Sequence, residues 1–130
     1  MNNEVLVGLG SNVAPESNIK KARAYLKKNF NVIGESSFMK TKPVGLTNQP
    51  DFINGAVLIS TDMPYNAVDA QLKQAEVILG RTSTTKKYGP RVIDFDIILW
   101  NREIVDQDFY QRPFLQKSVY ELIPAFDHQK

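Results

Sequence analysis

The feature that most constrains the fold is the segment at residues 92–99, where apolar and acidic side chains alternate. Successive side chains of a strand point to opposite faces. The apolar positions that would share one face are Ile93, Phe95, Ile97 and Leu99. Asp94 and Asp96 would then lie together on the opposite face. An apolar face of this kind has to be covered, so the segment predicts a strand in a sheet that carries a core on one side.

Three further segments have the pattern of strands: residues 5–9, 31–38 and 52–60. We interpret Gly8 and Gly10 as turn residues that end the first of them. In the third, the side chains expected on one face are Phe52, Asn54, Ala56 and Leu58. The density of proline, glycine and asparagine at residues 40–51 predicts a long loop.

Two segments have the three-four spacing of amphipathic helices. The first follows Pro15, with Ile19, Ala22, Arg23, Leu26 and Phe30 on one side; the second runs from Pro64 to Gly80, with Val68, Leu72, Ala75 and Leu79. Residues 100–105 predict a short hairpin, and the last 25 residues one short helix. The order strand, helix, strand, strand, helix, strand predicts a single α+β domain over residues 1–130. It would be a ferredoxin-like βαββαβ sandwich with an antiparallel sheet, both helices on one face and the other face free for a ligand.

Composition narrows the function classes. The 130 residues carry 16 Lys and Arg against 14 Asp and Glu, a formal charge of only +2, which argues against a nucleic-acid partner. There is no cysteine, which excludes disulfides, thiolate metal sites and a cysteine nucleophile. The single histidine, His128, leaves no member for a histidine-based triad. The first residues do not have the pattern of a signal peptide or a membrane span, so we expect a cytoplasmic monomer with no membrane partner.

The aspartate pair predicts a metal site. Asp94 and Asp96 would lie roughly 6.5 to 7 Å apart between α-carbons. Magnesium prefers carboxylate oxygens supplemented by water and phosphate, and two such ions can be bridged during displacement at phosphorus. Two solvated surface aspartates are the commoner explanation of a bare Asp-x-Asp pair. Within a strongly apolar strand, however, acidic side chains are costly unless they are paired or bound to a metal.

Cations and aromatic residues could complete such a site. Four cations precede the aspartate strand: Arg81, Lys86, Lys87 and Arg91. They could hold a polyphosphate, although a solvated basic loop is an equally good explanation of the cations alone. Tyr88 could close over a planar ring. Phe52, Asn54 and Tyr120 have the chemistry to sandwich a flat heterocycle and read its edge, although a core phenylalanine and a turn asparagine are commoner.

Four segments together resemble 6-hydroxymethyl-7,8-dihydropterin pyrophosphokinase of folate biosynthesis. They are residues 8–12 (GLGSN), 41–54 (TKPVGLTNQPDFIN), 80–81 (GR) and 89–98 (GPRVIDFDII). The resemblance covers roughly residues 4–100 in the family's order. It implies a ferredoxin-like fold and an enzyme that transfers the β,γ-pyrophosphoryl group of ATP to the pterin hydroxymethyl group, leaving AMP.

The resemblance also implies site residues. Asp94 and Asp96 match ligands of two Mg²⁺ ions, and Arg81 and Arg91 match arginines that stabilise the phosphates. The positions that match the pterin pocket are Thr41, Val44, Phe52, Asn54 and Tyr120. Those that match the ATP site are Glu76, Lys87, Tyr88, Arg91 and Ile97.

The chain departs from the family at three places. Ser83 and Thr84 accompany Lys87 where the family has several arginines, no histidine follows Pro113, and the segment around Ser118 lacks an arginine that many members use for phosphate. These differences leave an alternative open: a catalytically weak or inactive relative that acts as a pterin- or nucleotide-binding module. A third possibility, an RNA-binding ferredoxin-like domain, lacks the aromatic-rich RNA-binding pattern.

Overall fold

The structure, a computed structural model, describes residues 2–42, 50–80 and 92–127. Its strands are β1 (Asn3–Ser11), β2 (Asn31–Glu35), β3 (Met39–Thr41), β4 (Phe52–Thr61), β5 (Asp94–Trp100) and β6 (Glu103–Ile104). Its helices are α1 (Pro15–Asn29), α2 (Tyr65–Ile78) and α3 (Pro113–Leu122), and a 3₁₀ turn lies at Gln107–Tyr110. The strands form one antiparallel sheet in the order β2-β4-β1-β5-β6, with β3 pairing to β4. The α+β fold is confirmed: β1, α1, β2, β4, α2 and β5 follow the βαββαβ order, to which the short strands β3 and β6 and helix α3 are added.

Helices α1 and α2 cover one face of the sheet, which we call the helix face. Their buried apolar side chains are among those that the spacing predicted: Ile19, Ala22 and Leu26 from α1, and Val68, Leu72 and Ala75 from α2. They pack with Val5, Val7 and Leu9 of β1 and with apolar residues of β4 and β5. This core ties together both helices and the three central strands.

The opposite face differs from the expectation that it would be free. Helix α3 packs on one half of it, where Leu115 and Val119 join Leu6, Leu58 and Phe109 in a second buried cluster. The physical reason lies in the sequence of α3, whose apolar side chains recur at helical spacing and need a partner surface. Only the other half of this face, which we call the open face, is without this apolar cover among the described residues.

A β-bulge in β5 also changes one predicted side-chain direction. Leu6 pairs with Leu99 and Val7 with Ile97, so Ile98 is the extra residue on β5. Beyond the bulge, the alternation is shifted by one position. Leu99 therefore packs in the α3 cluster, not beside Ile93, Phe95 and Ile97 as the simple alternation predicted.

The ends of the central elements follow the expected chemistry. The predicted hairpin at residues 100–105 is confirmed, with β6 pairing to β5 through a turn in which Asn101 and Arg102 have φ of 50° and 67°. Gly80, at φ 123°, follows α2 in a conformation that favours glycine. No helix in the described part of the chain has the length and apolar content required to cross a membrane.

Candidate active site

Two glycines of β1 lie on the side of the sheet opposite α1 and α2: Gly8 beneath Leu115 of α3, and Gly10 on the open face. Gly8 and Gly10 were interpreted as turn residues, but that interpretation is wrong because β1 continues through both to Ser11. Gly10 pairs with Asn54 on β4 and with Asp94 on β5. Neighbouring strands lie about 4.8 Å apart, so the amide and the carboxylate start from backbones roughly 10 Å apart. The glycine leaves the space between them without a side chain.

Asn54 makes use of that space. A β-carbon at Gly10 would lie 2.5 Å from Asn54 Oδ1, closer than any such contact can be. On its other side, the Asn54 amide donates a hydrogen bond from Nδ2 to Thr41 Oγ1 on β3. Phe52, one pleat further along β4, would have its ring 3.8 Å from the same β-carbon. The structure thus brings together three of the predicted pterin-pocket residues.

Asp94 and Asp96 project to the same open face, because the residues between and beside them, Phe95 and Ile97, are buried in the helix-face core. The Asp96 side chain is 52% exposed, so it keeps part of its hydration. The surrounding protein removes the remaining hydration of the Asp96 carboxyl, and this desolvation raises its pKa to about 6. Lys73 opposes that rise, whereas the negative charge of Asp94 adds to it.

This environment fits a divalent cation. Magnesium sites of enzymes commonly use one or two carboxylates and leave the other positions to water and substrate phosphate. Asp94 and Asp96 supply that donor set from adjacent positions on one strand face. A carboxyl whose charged form is disfavoured by desolvation and by a second carboxyl gains when a cation binds beside it.

Helix α2 contacts the same strand from its edge. The Glu76 side chain is buried, and its Oε2 accepts a hydrogen bond of 2.7 Å from the backbone nitrogen of Phe95. Lys73 Nζ donates to the carbonyl of Phe95 at 3.4 Å and lies 3.7 Å from Asp96 Oδ1. Glu76, predicted for the ATP site, is therefore joined to the peptide between the two aspartates.

Other predicted residues lie elsewhere. The Ile97 side chain packs in the helix-face core, which leaves only its backbone for a nucleotide. Tyr120 lies on α3, where its ring packs edge-to-face against Phe126 with centroids 5.9 Å apart. Its place in the pterin pocket stays a prediction. The predictions for Val44, Arg81, Lys87, Tyr88 and Arg91 fall outside the described residues.

A cavity of about 560 Å³ lies near this site but on the side of the sheet opposite the open face. It is lined by Pro15, Lys40, Asp51 and Ile53, among others. Lys40 and Ile53 pair with one another in a register that points them away from the face of Thr41 and Asn54. The chemistry of the aspartates and the amide is on the open face, so we do not assign the cavity to it.

Two contributors were missed from the sequence, Gly10 and Lys73. The signal for the first was present, since two glycines at a spacing of two leave two successive positions on one face of a strand without a side chain. Lys73 gave no such signal. Its contact with β5 depends on the packing of α2 against that strand.

Comparison with known proteins identifies the family of the chain. A model of the family described as 7,8-dihydro-6-hydroxymethylpterin-pyrophosphokinase (HPPK) matches residues 6–124. The chain belongs to this family of pyrophosphokinases, as the sequence motifs predicted.

Among its relatives, the chain is 35% identical to the 2-amino-4-hydroxy-6-hydroxymethyldihydropteridine pyrophosphokinase of Bacillus subtilis, over 95% of this chain and 77% of that protein. It is 30% identical to the protein of the same name from Haemophilus influenzae, over 93% and 78%. It is 33% identical to the mitochondrial folate synthesis bifunctional protein of Pisum sativum over 92% of this chain. The chain spans only 25% of the length of that plant relative.

Proposed function

We propose that this protein is an ATP- and magnesium-dependent pyrophosphokinase of folate biosynthesis, which converts 6-hydroxymethyl-7,8-dihydropterin to its diphosphate and releases AMP. One observation carries the proposal. Gly10 pairs with Asn54 on one side and with Asp94 on the other, which supports the proposal of a ring-reading amide and a metal-binding carboxylate on one open face. The membership in the HPPK family supports the same reaction.

The pterin would bind on the Asn54 side of this face. The Asn54 amide offers both a donor and an acceptor, which suits the polar edge of a pterin ring. Its contact with Thr41 and its approach to Gly10 fix the direction of that amide before a ligand arrives. Phe52 supplies an aromatic surface beside the ring position. Such preorganisation lowers the entropic cost of orienting the hydroxymethyl group for attack.

Asp94 and Asp96 would hold two Mg²⁺ ions together with the phosphates of ATP. When bound, the ions supply neutralisation of charge on the transferred phosphoryl groups. Arg81, Arg91, Lys87 and Tyr88 are proposed for the phosphate and nucleotide side, on the basis of the family motif. A general base is not required by this mechanism, since positioning and electrostatic stabilisation account for most catalysis of phosphoryl transfer.

The test is direct turnover. Purified protein is incubated with ATP, Mg²⁺ and 6-hydroxymethyl-7,8-dihydropterin, and AMP formation is followed by chromatography. We expect Asp96→Ala to lower turnover by at least about 10³-fold, because metal ions supply several kcal/mol of charge stabilisation. The matched control is Asp62→Ala, an exposed aspartate between β4 and α2 at the far end of the sheet. It should keep full activity.

Two results would separate the remaining alternatives. If the folded protein binds the pterin but forms no AMP, the chain is a pterin-binding module and not an enzyme. Magnesium-dependent turnover that survives Asp96→Ala would show that the aspartate pair is not the metal site. Cytoplasmic location and a monomeric state remain part of the proposal.

A further inference from the structure

Glu76 is an acidic side chain in an unexpected place. It is 2% exposed and lies on the face of α2 that carries Leu72 and Ala75 into the helix-face core. Burial of a carboxyl costs several kcal/mol unless hydrogen bonds or opposite charges compensate. Partners that compensate the cost of burying this carboxyl are therefore expected near Glu76.

Besides Lys73, whose Nζ lies 3.9 Å from its Oε2, Glu76 contacts the peptide of Phe95. Phe95 pairs with Leu9 on β1, while β6 pairs with β5 only at Leu99 and Trp100. Near Phe95, the outer edge of β5 is thus without a strand partner among the described residues. Glu76 accepts from the Phe95 nitrogen at 2.7 Å, and Lys73 donates to the Phe95 carbonyl at 3.4 Å. Two side chains of α2 take the place of a neighbouring strand.

This contact reaches the proposed metal ligands through the backbone. Phe95 lies between Asp94 and Asp96, and its ring is buried on the helix face. An anchored ring and an anchored peptide together fix the strand pleat at this residue. The pleat decides the direction in which both flanking carboxylates leave the strand.

We propose that Glu76 is a positioning residue, which acts through the Phe95 peptide to hold Asp94 and Asp96 in a magnesium-binding arrangement. This inference rests on the proposed function, and it changes the role of Glu76 from ATP contact to support of the metal ligands. Residues that orient metal ligands typically affect metal affinity or activity by about 10- to 100-fold when they are replaced.

The experiment compares Glu76→Ala with Glu76→Gln in the full chain. Glutamine keeps an oxygen that can accept from Phe95, whereas alanine removes the acceptor. We expect Glu76→Ala to raise the Mg²⁺ concentration for half-maximal activity at least about tenfold, with unchanged affinity for the pterin, and Glu76→Gln to restore most of the loss. Two readouts are independent of turnover. Calorimetry measures Mg²⁺-dependent binding of a non-hydrolysable ATP analogue, and hydrogen exchange measures protection of the Phe95 amide.

The control for simple destabilisation is Val68→Ala, which removes a buried side chain from the same helix about two turns before Glu76. It should lower Tm and leave the Mg²⁺ dependence unchanged. The inference is overturned if Glu76→Ala and Val68→Ala have the same Mg²⁺ dependence. It is also overturned if Glu76→Gln is as defective as Glu76→Ala, since the charge and not the hydrogen bond would then matter.

The same measurements distinguish this inference from the proposed function. Wild-type protein that binds Mg²⁺ and the ATP analogue but forms no AMP would end the proposed activity, while the calorimetric comparison would still decide the role of Glu76. Wild-type protein that binds no magnesium–nucleotide complex would overturn both.

Discussion

The two faces of β1 divide the molecule into a part that is packed and a part that is left open. Toward α1 and α2 the strand presents Val5, Val7 and Leu9, all buried. Toward the other side it presents Leu6, which packs below α3, and then Gly8 and Gly10. The core on that side still reaches Gly8, where an added β-carbon would meet Ile98 and Leu115 of the α3 cluster, and it ends before Gly10. Stability and the proposed chemistry are therefore separated by the pleat of a single strand.

The largest expected effect is on the packed side. Leu72 is 1% exposed in the helix-face core, and Leu72→Ala should cost about 3 kcal/mol of unfolding free energy through lost burial and a cavity. Urea denaturation followed by circular dichroism measures this loss. If the two faces are independent, kcat/KM of the folded variant should equal that of the wild type. A large fall in kcat/KM at temperatures where the variant is fully folded would show that the two faces are not independent.

On the open side, Gly10→Ala should act on ligand binding. The new β-carbon would lie 2.5 Å from Asn54 Oδ1, so the amide has to leave its place beside Thr41. We expect pterin affinity to fall at least about tenfold, or roughly 1.4 kcal/mol, as measured by calorimetry.

Gly8→Ala is the matched control for that substitution. Its β-carbon would meet Ile98 at 3.3 Å, which needs only a small shift of a side chain. Pterin affinity should stay within about twofold of wild type, because no ring-reading group is displaced. Equal losses from both alanines would mean that general distortion of β1, not displacement of Asn54, controls binding.

The sequence predicted the packed side better than the open side. Helix spacing was sufficient for Ile19, Leu26, Val68 and Leu72, because burial of an amphipathic face is a local property. The position of Leu99 was wrong because a bulge depends on how β5 pairs with β1, which the sequence of β5 alone does not encode.

The sequence predicted the chemical groups of the candidate site but not the residues that hold those groups in place. The aspartate pair and Asn54 were found from motif and alternation, and the structure places them on the same face. The meaning of Gly10 was missed because its importance comes from the side chain on a neighbouring strand. The link from Glu76 to Phe95 was missed because it joins a helix to a strand edge 19 residues away.

Asp96→Asn tests whether the charged carboxylate on the open face lowers the stability of the folded protein. A raised folded-state pKa means that stability falls as pH rises from the ordinary aspartate value of 3.8 to about 6, and stays reduced above it. In the absence of Mg²⁺, the asparagine variant should therefore be slightly more stable at pH 7.5, with Tm higher by about 2 °C. The gain should vanish below pH 4, as measured by calorimetry. A lower Tm for Asp96→Asn at pH 7.5 would contradict the expected cost of the carboxylate.

The smallest effect belongs to the rim of the packed side, where Glu35 accepts from Arg23 Nε at 2.8 Å. The hydrogen bond with Arg23 lowers the pKa of Glu35 below 4.5, so its stabilisation is complete above that value and is lost as pH falls through the depressed pKa. Because the Arg23 side chain is 36% exposed, Glu35→Gln should cost only about 0.5 kcal/mol at pH 7. The difference from wild type in urea unfolding should shrink as the pH is lowered from 7 to well below 4.5. A difference that is the same at both pH values would assign the loss to packing, since Arg23 also lies 4.7 Å from the ring of Phe38. The Phe38 ring covers Gly55 on the helix face, much as the Asn54 amide covers Gly10 on the open face. The same measurement therefore tests whether the packing of a side chain over a glycine depends on a nearby charge.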